Sequence, residues 1–263
     1  MNVRAIAFDL DDTLLRDDRT VSDYTVSVLR RAAAQGIHVI PASGRAQHSM
    51  EYVVDALDCA SLYIACNGAE LWSPSHQLLR RVTMSMEISR EIIRFAEEYD
   101  CNAQIYRDNS FYHSRQGKWA QRYEVSSLLS GVYVPDLASF ITGPQYKILM
   151  SDEPQKIAVM LQDALSRFGS RVNVACSKPY FLEFNPLEAG KGNGLRACGE
   201  LLGFDVRDAV AFGDSLNDLS MLEAAGTGIV MANGRPDVLQ RIPVHCGHNE
   251  EDGVAHYIEA HYL

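Results

Sequence analysis

The sequence predicts an α/β protein, a doubly wound and mostly parallel sheet into which a separate α+β block is inserted. Three observations carry this expectation. The first stretch of the chain alternates short β-rich runs with helical stretches, strand–helix–strand–helix–strand. That alternation breaks near Thr83 and resumes after Pro186. The strand-like runs at both ends are apolar almost without interruption, as expected of strands buried on both faces.

In chain order, Val3–Leu10 is the first strand. Ser22 is placed to cap a helix from Asp23 to Gln35, with Gly36 as its stop. Ile37–Ala42 is a second strand with Pro41 weakening its end, Gln47–Leu57 a helix and Leu62–Cys66 a third strand. Asn67-Gly68 then turns the chain into a hairpin-like segment running through Trp72 and Leu79. In the middle block, Met86–Tyr99 is helical, with Ile88, Ile92, Ile93 and Ala96 on one side. Two short strands follow, Ala103–Asp108 and Ser110–Ser114, then a polar stretch. Tyr146–Ser151 is a strand, Pro154–Phe168 a helix, and Arg171–Ala175 and Tyr180–Pro186 are further strands. After the block come a helix over Lys191–Leu202, a buried strand Ala209–Asp214 and a helix over Leu216–Ala225. Gly228–Ala232 is a strand, Pro236 starts a helix, Ile242–Cys246 is a last short strand, and Gly253–His261 is helical.

The 263 residues suffice for one large or two modest domains, and a 47% hydrophobic fraction suffices for a substantial core. A net charge of −10 argues against a nucleic-acid partner, because binding the phosphate backbone requires a basic face. It leaves room for a small phosphorylated ligand, which a few local donors can hold. No apolar run approaches the ~20 residues needed to span a bilayer, and the start does not resemble a signal peptide. Cys59, Cys66, Cys101, Cys176, Cys198 and Cys246 are far apart, with no CxxC pair, and read as reduced thiols. The expected setting is the cytoplasm.

Asp9, Asp11 and Asp12 follow directly on a buried strand. Asp214 ends another, in "GDSLND". In open α/β sheets ligands bind beyond the carboxyl ends of the strands, near the point where strand order reverses. If the two strands are neighbours the carboxylates converge, and unpaired they would raise each other's pKa. A divalent cation resolves this, and hard oxygen ligands without His or Cys favour Mg²⁺.

"DLDDT" (Asp9–Thr13) is similar to the first motif of the haloacid dehalogenase superfamily. The strand ending in "ASGR", with Ser43, resembles its second, Lys191 in "GKGNGL" its third and "GDSLND" (Gly213–Asp218) its fourth. The insert resembles the α/β cap of the Cof-type (IIB) branch, which contains mainly sugar-phosphate and other small-metabolite phosphatases. The resemblance covers essentially the whole chain; at Asp12 many relatives carry Gly. It implies a Rossmannoid catalytic core over residues 1–83 and 187–263 and a substrate-selecting cap over residues 84–186. It implies that Asp9 is the nucleophile and that Asp11 protonates the leaving oxygen and then deprotonates water. It implies Mg²⁺ on the Asp9 carboxylate, the Asp11 backbone carbonyl and Asp214, with Asp218 orienting bound water or Lys191. The Leu10 amide, Ser43, Gly44, Lys191 and Asn217 are then the phosphate donors, and Thr13 braces the loop. A carboxylate approaching a phosphate dianion meets roughly 4 kcal/mol of repulsion per charge pair at ~4 Å and a dielectric near 20, which is why a cation is needed.

The activity expected is hydrolysis of a small phosphorylated metabolite through an aspartyl phosphate. A sugar-phosphate mutase on the same scaffold is the first alternative. A phospho-accepting signalling receiver is a remote one, since its acceptor would end a middle strand and no insert would follow. "HCGH" (His245–His248) reads as a loop rather than a zinc site, and "GKGNGL" lacks the spacing of an ATP-binding loop. Arg45 fits substrate contact and a surface role equally. Tyr106, Phe111, Tyr112 and Trp119 fit either the insert's substrate face or its core.

Overall fold

Four parallel strands lie side by side in the order Thr227–Val230, Ala209–Gly213, Ala5–Phe8, His38–Pro41. They belong to a computed structural model that describes residues 3–107, 110–127 and 129–263. The chain divides into two units, Met1–Arg80 with Gly190–Leu263, and Arg81–Ala189.

In the first unit the two central strands have the same small–large alternation. Ala5 and Ala7, with Ala209 and Ala211, face a core made with Leu195, Cys198, Met221 and Val238. Ile6 and Phe8, with Val210 and Phe212, face a core made with Leu29, Val53 and Ile258. Helices Lys191–Leu202, Leu219–Ala224 and Pro236–Arg241 therefore cover one face, and Asp23–Ala34, Glu51–Leu57 and Gly253–Tyr262 the other. Each large apolar side chain buried this way contributes about 1.5–3 kcal/mol. The alanines leave space on their side, and the glycines of "GKGNGL" use it. A Cβ on Gly192 would lie 2.1 Å from the Ser220 carbonyl oxygen, and one on Gly194 2.8 Å from Ile64 Cγ2. These glycines let a helix approach its neighbours closely, and that approach buries Lys191 at its first turn.

Ser22 caps the first helix, its hydroxyl accepting from the Thr25 amide at 3.0 Å and donating to Asp252 at 2.7 Å. Gly36 follows that helix at φ +84°. The third strand, Tyr63–Ala65, meets the parallel sheet at the bridge Ala42–Ile64, with another bridge, Val39–Ala60, just before it, and pairs antiparallel with Glu70–Trp72. Ile242–Cys246 does not become a strand. A single parallel bridge, Val230–His245, remains, and Pro243 brings no amide to a ladder. His245 Nε2 lies at the Ile242 carbonyl, 2.9 Å away, whereas His248 accepts from the Glu250 amide, so the histidines of "HCGH" face different partners.

The second unit is a six-stranded sheet in the order Val172–Lys178, Phe181–Pro186, Ile148–Ser151, Asn102–Arg107, Ser110–His113, Ser130–Tyr133. All pairs are antiparallel except the last. The run beginning at Ala103 was expected to reach Asp108, which lies outside the described residues. Helices Met86–Glu98 and Pro154–Phe168 pack on one face, over Ala103, Ile105, Ile148, Met150, Leu182 and Phe184. The alternate positions Gln104, Tyr106, Lys147, Glu183 and Asn185 are polar yet buried, with Lys147 and Glu183 paired at 3.1 Å. The polar stretch after Ser114 contains a helix, Lys118–Ser127, and a strand, Ser130–Tyr133. Within that helix only Ala120, Tyr123 and Ser127 are buried, too sparse an apolar face to show as a period. Phe111 and Tyr106 are buried against Tyr123, and Tyr112 meets Phe140 at 4.9 Å between centroids. Trp119 stacks on Tyr180 at 5.7 Å.

Candidate active site

The sheet order reverses between Ala5–Phe8 and Ala209–Gly213, because the first strand has its sequence neighbour His38–Pro41 on the other side. Register does the rest. Phe8 pairs with Phe212, and the Asp9 amide donates to the Phe212 carbonyl at 3.0 Å. Asp9 and Asp214 therefore leave adjacent strands at nearly the same level.

Oxygens of Asp9, Asp214 and Asp218 lie within 4.8 Å of one another, and all three side chains are buried. Lys191, fully buried, is the cation among them: its Nζ donates to Asp9 Oδ1 at 2.6 Å and to Asp218 Oδ1 at 2.5 Å. Asp218 Oδ2 accepts from the amides of Asp214 and Ser215, at 3.1 and 3.0 Å. Both Asp218 oxygens are thus engaged by protein. The Thr13 hydroxyl donates across to Asp214 Oδ1 at 3.1 Å and so ties the first-motif turn to the end of the neighbouring strand. Among the described residues, no hydrogen bond reaches Asp9 Oδ2 or Asp214 Oδ2.

Burial, foremost, and the Asp218 charge push the Asp214 carboxyl up to about 7; Lys191 and the Thr13 hydroxyl oppose this. Asp9 is raised well above the ordinary carboxylate range by burial and by Asp218, more than Lys191 can offset. Burial works against the Lys191 charge, but Asp218 and Asp9 together overcome it and hold the ammonium protonated. With all three carboxylates ionised, one ammonium would leave a formal charge of −2 on an all-oxygen donor set; the raised acids express that excess, and a hard divalent cation fits it.

The first-motif loop is a wide turn, Leu10–Leu14, in which Asp12 is left-handed at φ +59°. That conformation explains a preference for Gly there; Asp is among the few other residues that tolerate it. Asn233 Nδ2 donates to the Asp12 carbonyl at 2.7 Å and anchors the turn from the far side. The Leu10 amide opens the turn directly after Asp9, and its side chain is buried beneath. The Asp11 side chain is turned to Arg45, which grips it with Nε at 2.8 Å and Nη2 at 2.6 Å. Arg45 also donates to the Ser49 carbonyl and the Tyr52 hydroxyl.

Ser43 is buried, with its hydroxyl accepting from the Arg45 amide at 3.2 Å. Gly44 lies against Asn67, and Asn217, exposed, donates to Asn67 Oδ1 at 3.1 Å. The structure thus draws Asp9, Thr13, Lys191, Asp214 and Asp218 into one cluster, sets Asp11 in a separate ion pair and links Gly44 with Asn217 through Asn67. Asn67 and Asn233 were not anticipated. Asn67 was visible only as a turn residue, and Asn233 offered no signal because its partner is a backbone atom over two hundred positions away.

A family model described as haloacid dehalogenase-like hydrolase matches residues 6–258. A protein of Enterobacter sp. (strain 638) named HMP-PP phosphatase is 29% identical, covering 99% of this chain and 96% of its own. The crystal structure of a haloacid dehalogenase-like hydrolase from Bacteroides thetaiotaomicron superposes with a TM-score of 0.88 at 26% identity, covering 98% of this chain and 99% of that one. A subclass IIB sugar phosphatase shares the fold at a TM-score of 0.82 and 18% identity, over 98% of both chains. No helix among the described residues is long and apolar enough to cross a membrane.

Proposed function

The chain belongs to the haloacid dehalogenase-like hydrolases and is a phosphatase; from that premise we propose that it hydrolyses a small phosphorylated metabolite, with Mg²⁺, through a phosphoryl group carried on Asp9. The observation that carries the reading is the convergence of Asp9, Lys191 and Asp214 beyond the switch point of the sheet.

Asp9 is the nucleophile: a carboxylate oxygen bonds to phosphorus as the bond from phosphorus to the leaving oxygen breaks. Lys191 holds the other carboxylate oxygen and fixes the line of attack. Asp11 gives its proton to the departing oxygen. It then takes a proton from the water that attacks phosphorus and frees the Asp9 carboxylate. Asp11 must leave the Arg45 fork for this, because a carboxylate held by a guanidinium has no proton to give. Ser43, the Gly44 and Leu10 amides, Lys191 and Asn217 hold the phosphoryl oxygens. Asp9, the Asp11 carbonyl and Asp214 would hold Mg²⁺, which when bound offsets the charge of carboxylate and phosphate. Asp218 keeps Lys191 and the Asp214 loop in place. The second unit acts as a cap whose residues select the leaving group, a reading supported by the buried polar face of its sheet.

The test is phosphate release with MgCl₂ from a panel of sugar and small cofactor phosphates, p-nitrophenyl phosphate and a folded phosphoprotein. Release is expected from small substrates. A phosphoprotein preferred by kcat/KM would overturn the metabolite reading, and transfer to a second sugar hydroxyl without free phosphate would make the protein a mutase.

A further inference from the structure

The Cys66–Asn67–Gly68 turn touches three of the loops to which phosphate has just been assigned. The Asn67 amide donates to the Ser43 carbonyl at 3.0 Å and the Cys66 amide to the Arg45 carbonyl at 2.8 Å. Gly68 abuts Gly190, the residue before Lys191, so closely that a Cβ on Gly68 would lie 2.2 Å from the Gly190 oxygen. The Asn67 side chain packs on Gly44, where a Cβ would lie 3.0 Å from Asn67 Oδ1. That same oxygen accepts from Asn217 Nδ2. Cys66 and Asn67 both take positive φ, 50° and 53°. Cys is seldom found there, and such backbone persists only where the surroundings over-determine it.

Asn217 lies on an exposed turn, where a side-chain amide rotates freely unless both ends are held. Both are held: the Ser215 hydroxyl donates to Asn217 Oδ1 at 2.6 Å, while Asn67 takes one hydrogen of Nδ2. The second Nδ2 hydrogen is thereby given a fixed direction. Donors aimed before the ligand arrives bind phosphoryl oxygen without a reorganisation penalty.

We infer that Asn67 is a positioning residue of the phosphate site, presetting the Asn217 amide from the turn that also clasps the Ser43 and Gly190 loops. The inference rests on the phosphatase reading and adds a residue to it. Asn67→Gly removes the side chain and leaves a backbone that adopts this φ freely. The probe is inorganic phosphate, as a competitive inhibitor of p-nitrophenyl phosphate hydrolysis in MgCl₂. Asn67→Gly should raise its Ki about five- to tenfold, the size of one neutral hydrogen bond, with Tm within about 2 °C of wild type. Asn217→Ala should raise Ki at least as much, and the double variant should be no worse than Asn217→Ala alone. Multiplying effects, or an unchanged Ki in Asn67→Gly, would overturn the assignment. Should Asn67→Gly lose its fold, the order parameter of the Asn217 side-chain amide in the wild type decides: a value near that of the rigid backbone is expected, and one below about 0.6 would overturn the assignment. Wild type that neither releases phosphate nor is inhibited by it would instead remove the phosphatase reading, and this inference with it.

Discussion

At Lys191, removing a single charge is expected to be felt in stability, pH dependence and metal binding together. Lys191→Met keeps the length of the side chain and deletes the ammonium. The wild-type group has no exposure and contacts two buried carboxylates, at 2.6 Å and 2.5 Å. Breaking a buried pair by removing one partner costs about 3–5 kcal/mol, because the remaining charges stay buried without compensation. At roughly 2–4 °C per kcal/mol for a unit of this size, Tm should fall by about 6–20 °C at pH 8. The sign of the pH dependence follows from the acids. Asp9 is already raised and Asp214 stands at about 7. A carboxyl whose pKa is higher folded than unfolded binds more protons in the native state, so stability rises as pH falls through the folded value. Without the ammonium both acids move up further. The deficit of Lys191→Met against wild type should therefore be largest near pH 8 and shrink towards pH 5. Added Mg²⁺ should restore part of it at pH 8, as any ligand of the native state does. The assay is a thermal melt of both proteins across pH 5–8, with and without MgCl₂. A deficit under about 2 °C at pH 8, or one of equal size at both ends, would refute the charge argument.

Asp9→Asn should keep the fold and lose turnover, since the amide is a poor nucleophile; phosphate release well above background from a preparation free of wild type would count against Asp9. Replacing Mg²⁺ with Ca²⁺ should inhibit, because calcium takes more ligands at longer distances and favours both oxygens of one carboxylate; equal initial rates with the two ions would argue the other way. Thr13→Val removes the hydroxyl that holds Asp214 down. The Mg²⁺ activation constant should then rise, more at pH 6.5 than at pH 8.5, because protons compete better for a carboxyl moved further up; a rise independent of pH would leave Thr13 with a packing role only.

Much of the fold was legible because its signals are local. The Asp23–Ala34, Met86–Glu98, Pro154–Phe168 and Lys191–Leu202 helices stand within a residue of their expected bounds, and each carries a cap, a stop or a strong apolar face in its own sequence. Lys118–Ser127 was missed because its burial comes from three small or polar-tipped residues. Ile242–Cys246 was over-read because its composition is strand-like while the partner it would need is met at one residue. In both, the deciding fact is which surface lies opposite, and propensity does not encode that.

The site divides along the same line. Asp9, Asp214 and Lys191 could be paired in advance because they stand at strand ends and a helix start, where topology alone decides which side chains meet. What could not be read is how their charges are shared. Asp218 has both oxygens engaged, by the Lys191 ammonium and by two backbone amides, while Asp9 and Asp214 each keep one oxygen that no donor among the described residues reaches. Three aspartates alike in the sequence are thereby made unlike, one supporting and two with an oxygen left for phosphorus or a cation. Asp11 differs again, since Arg45 neutralises it outside the cluster and so does not relieve the crowding of carboxylates within it. Had Arg45 reached Asp9 or Asp214 instead, the same residues would form a self-compensated salt bridge with little call for a metal. The direction of one guanidinium fork, set by its bonds to the Ser49 carbonyl and the Tyr52 hydroxyl, is therefore part of what makes these carboxylates a cation site.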